Sequence, residues 1–301
     1  MTMITRTTSA FRTLLAAVAL TSFALLFPFY AFAQKAFDSP EAAADAFVRA
    51  VATSDDDALR IVLGADWKRF IPIDNIDRDD VNAFLAARYK KETIIRDSDS
   101  RAHLAVGPDE WTLPIPIVKS GGVWRFDTRA GAEEIRTRRI GRDELAAMQA
   151  ALAYYDAQKE YALVDRNGDG ILEYAQKLIS SPGKKDGLYW DAQNVKEESP
   201  LGPLFGNDKP GTDYNGYYFK ILKGQGKHAP GGAFDYRIKG RMSAGFALVA
   251  WPVRYDETGV MTFIVNYEGQ IYEKNLGAQT DAVARKMTLF DPDSSWRKVS
   301  P

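Results

Sequence analysis

The stretch TFIVNYEGQIYEKNL, residues 262–276, restricts the fold more than any other. Thr262, Ile264 and Asn266 alternate with Phe263, Val265 and Tyr267, the period of two that sends successive side chains to opposite faces of a strand. Glu268-Gly269 supplies a turn and leads into Ile271, so the stretch predicts a β-hairpin. It stands among GYYFKIL, FDYRIKG and GFALVAWPV, so strands dominate from Tyr217 onward as an antiparallel β-meander. Asp281 to Met287 predicts a short final helix.

Upstream of this sheet the periodicity changes. A long helix is expected from Arg142 to Leu163, with Leu145, Met148, Leu152, Tyr155 and Tyr161 on its apolar face. From Ser180 to Asn215 the chain is rich in Gly, Pro, Asp and Lys and carries no period, which predicts an irregular excursion. Long helix, excursion and sheet form a C-terminal domain, residues 141–301.

Residues 34–140 read as a separate N-terminal domain of α+β class. Ser39-Pro40-Glu41 is a helix start, with a cap, a proline at the first position and an acid in the first turn. Ala43, Phe47, Val48 and Val51 follow at helical spacing. Asp55 caps a second helix that Gly64 ends, and a third is expected from Asp79 to Tyr89. ETIIRDS, RAHLAVG, EWTLPIPIVKS and GVWRFD then predict an antiparallel meander turning at Gly121-Gly122. Pro114 and Pro116 cannot donate ladder hydrogen bonds, so their strand should be an edge or bulged. Helices followed by a curled sheet are similar in element order to the cone-shaped NTF2-like domains.

The first 33 residues read as a secretory leader. Arg6 and Arg12 precede an apolar run from Leu14 to about Phe29, and Ala31-Phe32-Ala33 is a small-x-small cleavage pattern before Gln34. No later segment is apolar enough to cross a bilayer. The chain has no cysteine, so stability must come from buried cores, to which a bound ion could add, and thiol chemistry is excluded. Lys+Arg of 39 against Asp+Glu of 40 offers no nucleic-acid surface.

Three blocks carry a resemblance: YYDAQKEYALVDRNGDGILEYAQKL, GYYFKILKGQGKHAPGGAFDY and GFALVAWPVRYDETGVMTFIVNYEGQIYEKNLG. On these the chain resembles the DUF2950 family of secreted bacterial proteins of unknown function, over nearly all of its mature length. That resemblance implies no activity and no catalytic residue. In layout, AAMQAALAYYDAQKEYA, the excursion and the later meander are similar to the globular domains of pseudopilins. Those domains begin with an assembly helix, which here lies deep inside the chain. The similarity therefore implies a pilin-like module without its polymerising spine.

Chemistry is concentrated in DRNGDGILEY, residues 165–174. An EF-hand loop takes side-chain oxygens from positions 1, 3 and 5 and needs glycine at 6. Asp165, Asn167, Asp169 and Gly170 fill these places. Ile171 offers a backbone carbonyl at position 7 and Glu173 a carboxylate at 9. Position 12 holds Gln176 instead of a bidentate glutamate, so calcium affinity should be weak. The competing reading is a polar turn in which Asp165 caps and Gly168 and Gly170 bend the chain. The sequence leaves both open.

Other constellations are poorer. His103 sits in a strand as a structural residue, and His228 lies in the loop GQGKHAPGG, which lacks the phosphate-loop pattern. Ser243 in RMSAG lacks the first glycine of a nucleophile elbow. Two histidines are too few for the usual zinc site. Trp190, Tyr214, Tyr217 and Tyr218 suit core packing better than a binding groove. The expected function is that of a noncatalytic exported envelope protein, periplasmic or secreted, binding a partner or ligand and carrying a weak calcium loop. The alternative is an extracytoplasmic hydrolase of envelope polymer working through a carboxylate pair.

Overall fold

The computed structural model describes residues 34–71, 76–190, 198–202 and 213–301; the expected leader lies outside the described residues. Local capping chemistry starts the first helices where the sequence places them. Ser39 Oγ accepts from the Ala42 N–H at 3.1 Å and begins α1 (Pro40–Thr53), which buries Ala43, Ala44, Phe47, Val48 and Ala50. Asp55 Oδ1 accepts from the Ala58 N–H at 2.9 Å and begins α2 (Asp56–Leu63), and Gly64 ends it at φ 101°. A single turn, α3 (Trp67–Phe70), buries Trp67 and carries no sequence signal of its own. A capping box between Asp77 and Asp80 opens α4 (Arg78–Lys90), in which Val81, Phe84 and Leu85 are only half-buried and Tyr89 is exposed.

The meander follows as β1 (Glu92–Ser98), β2 (Arg101–Val106), β3 (Trp111–Thr112), β4 (Ile117–Ser120) and β5 (Val123–Phe126). All pairs are antiparallel, in the order β1-β2-β4-β5 with β3 on β2. The segment expected as one strand is split into β3 and β4, because Pro114 and Pro116 between them have no N–H to give a ladder. Phe37 extends the sheet by exchanging two backbone hydrogen bonds with Trp124, at 2.9 and 2.8 Å. The sheet is strongly curled: the Arg96 guanidinium of β1 lies 5.6 Å from the Trp124 ring of β5, although β2 and β4 stand between them in strand order.

The long helix α5 (Thr128–Tyr161) has 34 residues and starts directly after β5, capped by Asp127 through the Ala130 N–H at 3.0 Å. It therefore begins well before the expected Arg142, and the boundary placed between 140 and 141 falls inside it. Its first part packs on the N-terminal elements. A Cβ on Gly131 would stand 2.9 Å from Ile115 Cγ1, so only glycine permits that approach. Arg138 donates to the Thr112 carbonyl at 2.7 Å and to its hydroxyl at 2.8 Å. Its later part buries Ala147, Ala150, Ala151, Tyr154, Ala157, Gln158 and Tyr161, whereas Leu145 is exposed. The buried stripe is thus mainly alanine, which lets helix and sheet approach closely; of the expected larger residues Tyr161 lies in it, while Met148, Leu152 and Tyr155 are only partly buried at its margins.

The described residues between α5 and the next strand hold no helix or strand, only bridges such as Ile179 with Tyr189. Leu188, Trp190 and Leu201 are nevertheless buried, so the excursion is folded onto the core. There follow β6 (Tyr217–Leu222), β7 (Gly224–Gln225), β8 (Phe234–Asp235), β9 (Arg237–Ile238), β10 (Arg241–Met242), β11 (Ala247–Pro252), β12 (Met261–Asn266), β13 (Ile271–Asn275), α6 (Thr280–Lys286), β14 (Leu289–Phe290) and β15 (Arg297–Val299). The main sheet is antiparallel in the order β15-β13-β12-β11-β6, with the expected hairpin as β12–β13. Every residue of β11 is buried, so both its faces are covered, by α5 and by α6 with β14. The fold is α+β. Among the described residues no helix is long and apolar enough to cross a membrane.

Two buried clusters form, one from Phe37 to Phe126 and one from Ala147 to Phe290, and they share no residue. Separate folding of residues 34–140 is accordingly a proposal with a direct test. A fragment ending at Ile140 keeps Gly131, Ile135 and Arg138 on the first cluster and should melt cooperatively in calorimetry. An unfolded fragment contradicts it.

Candidate functional site

The DRNGDG loop is closed by its own side chains. Asp165 Oδ1 accepts from the Gly168 N–H at 2.8 Å and Oδ2 from the Gly170 N–H at 2.7 Å. The Gly170 amide first, and then that of Gly168, hold this carboxyl below its ordinary range. Asn167 Oδ1 accepts from the Asp169 N–H at 3.1 Å, and its amide nitrogen donates to Glu173 Oε1 at 2.9 Å. Asp169 Oδ1 accepts from the Ile171 N–H at 3.0 Å. Its second oxygen pairs with Arg241 of β10. Gln176 Nε2 donates to the Gly240 carbonyl at 3.0 Å. The loop is thus docked on the β9–β10 hairpin, and the Tyr174 N–H adds a bond to the Met242 carbonyl at 2.7 Å.

Of the calcium candidates, Asp165, Asn167 and Glu173 are joined through the loop itself, whereas Asp169 faces Arg241 and Gln176 faces Gly240. Among the described residues no three His, Asp or Glu side chains gather as a metal-holding group. Calcium would have to draw Asp169 away from a guanidinium and rely on a neutral amide at position 12.

His103 Nε2 lies 2.9 Å from Asp97 Oδ2, on the β1–β2 hairpin. His228 is gripped twice by Asp291, whose Oδ1 accepts the backbone N–H at 2.8 Å while Oδ2 lies 3.1 Å from Nδ1. This ties the GQGKHAPGG loop to the segment after β14. A Cβ on Gly226 would come within 2.2 Å of the Asp291 carboxyl carbon, so the grip depends on glycine there. Ser243 directly follows β10, its N–H donating to the Tyr236 carbonyl at 3.1 Å. Trp190 and Tyr217 are buried, and the Tyr217 hydroxyl donates to the Met261 carbonyl at 2.9 Å. Burial raises the Asp143 carboxyl, but that side chain faces the Gly216 turn: a Cβ there would stand 3.3 Å from its Oδ2.

The concavity that sequence reading missed lies at one end of the curled sheet. Register places Ile94, Leu104, Ile117 and Phe126 on one face, where Leu104, Ile117 and Phe126 are buried. Two residues further along, the same face presents Arg96, Lys119 and Trp124. With Asp38, Ser39 and Pro40 at the head of α1, and Ser98 and Asp99 at the end of β1, they line an open cleft of about 720 Å³. Trp124 is its buried floor, with the Arg96 guanidinium 5.6 Å and the Lys119 ammonium 5.8 Å from the ring. Arg96 also pairs with Glu41 Oε1 at 2.9 Å. Lys119, Asp38 and Asp99 make no ion pair among the described residues. Inward parity of Arg96 behind Ile94 was the one available signal in the sequence.

A family model described as a protein of unknown function (DUF2950) matches residues 34–299. No curated protein and no solved structure matches the chain.

Proposed function

The chain belongs to the DUF2950 family of proteins of unknown function, and we propose that it is an exported, noncatalytic cell-envelope protein that holds a ligand in the cleft over Trp124. The cleft carries this reading, because it brings cations from β1 and β4 and carboxylates from two turns to one concavity, with no histidine or nucleophilic pair beside them. Export rests on the leader features before Gln34. Fractionation should place the protein outside the cytoplasm with a mature start at Gln34, and full-length cytosolic protein contradicts this.

The binding reading is tested by incubating the mature protein with envelope extract and identifying retained compounds by mass spectrometry. Wild type should retain a compound unaltered, and Lys119→Glu should lose it. Equal retention by both proteins contradicts the cleft. Recovery of cleaved envelope polymer favours the hydrolase reading instead.

Calcium at the DRNGDG loop belongs to the same proposal as a stabilising ion. At ten times its dissociation constant it should add about 1.4 kcal/mol, a shift of a few degrees in the melting temperature. Arg241→Gln should enlarge that shift, because it frees Asp169 from a competing cation. Asp169→Asn should weaken it. A flat response in wild type and in Arg241→Gln leaves the loop a polar turn.

A further inference from the structure

We infer that the cleft over Trp124 selects a small zwitterion, a short peptide with free ammonium and carboxylate ends; this rests on the ligand-binding reading of the same cleft. The charges that line it are of both signs, and of these Lys119, Asp38 and Asp99 make no ion pair among the described residues. Lys119 stands over the Trp124 ring at 5.8 Å without an acid partner among the described residues, although Asp38 and Asp99 line the same space. Arg96, 5.6 Å from that ring, is already held by Glu41, which leaves Lys119 as the unpaired cation of the lining.

A ligand carrying only an anion would meet Lys119 and Arg96 but bring its charge beside two carboxylates. A purely cationic ligand meets the reverse penalty. A molecule with both charges, separated by a short neutral backbone, can meet Lys119 and the two carboxylates at once. Its carboxylate takes Lys119, the unpaired cation, and its ammonium donates to the two carboxylates, Asp38 and Asp99. The cationic end must carry N–H donors, as a free peptide ammonium does, since the carboxylates are hydrogen-bond acceptors. The cleft volume, about 720 Å³, lies within the usual range for small-molecule sites.

Calorimetric titration of the mature protein with dialanine, N-acetyl-dialanine and dialanine amide tests this. Free dialanine should bind, and blocking either end should weaken binding by about tenfold or more, the loss of one charge-assisted hydrogen bond. Lys119→Gln should bind the free and amidated forms alike, and Asp38→Asn combined with Asp99→Asn the free and acetylated forms alike. Both variants alter unpaired side chains, and the blocked ligands probe wild type without any mutation. The assignment is overturned if no form binds, or if a blocked form binds wild type as tightly as the free one. If dialanine fails while envelope extract still yields a Lys119-dependent ligand, the peptide assignment falls and the binding reading stands. Should both fail, both fall.

Discussion

Replacing Gln158 with leucine is expected to destabilise the protein by about 3 kcal/mol, read as a lowered midpoint in denaturant unfolding. Gln158 is fully buried on α5 and behaves like a piece of strand backbone. Its amide nitrogen donates to the Ala175 carbonyl at 2.8 Å, and its oxygen accepts from the Ala175 N–H at 2.8 Å. The same nitrogen donates to the Tyr154 hydroxyl at 3.0 Å, which in turn donates to the Ala247 carbonyl at 3.1 Å. Ala175 is itself buried, so leucine strands a backbone donor and acceptor without water. Each unsatisfied group costs about 1–3 kcal/mol. Gln158→Glu keeps the acceptor for the Ala175 N–H, loses the donor, and should not rescue. A change within experimental error for Gln158→Leu contradicts this account of how the segment after the DRNGDG loop is held.

Trp124→Ala should cost about 3–5 kcal/mol, the usual loss for a large aromatic removed from a core. The ring packs within the first buried cluster, and its backbone joins Phe37 to the sheet. If the two clusters melt separately, calorimetry should show the first transition lowered and the second unmoved. A uniform drop in one transition argues for a single cooperative core running through α5. Trp124→Phe keeps most of the buried volume and should retain most of the stability, while weakening the stacking of Arg96 and Lys119.

Where local chemistry decides structure, the sequence was readable. Ser39 and Asp55 cap α1 and α2 as their positions suggest, and the alternation around Phe263 becomes the β12–β13 pair. The start of α5 was not readable, because residues 128–141 contain two glycines and many arginines in place of an apolar period. That segment is held instead by the Gly131–Ile115 approach and by Arg138 on Thr112, both long-range. Its buried stripe escaped notice because alanines carry little hydrophobic signal. At the DRNGDG loop the ligand types were legible, but Arg241, far along the chain, was not. The cleft was hidden for the same reason: Arg96, Lys119 and Trp124 meet only once strand register and sheet curl are known.

The central claim is that the Trp124 cleft is the binding site. Two-dimensional NMR of the mature chain, titrated with the small-molecule fraction of envelope extract, tests it most directly. The expected shifts are confined to the cleft lining, Asp38, Ser39, Arg96, Ser98, Asp99, Lys119 and the Trp124 indole, with the ligand spectrum unchanged over time. Shifts centred on other residues, or none at saturating extract, would contradict it.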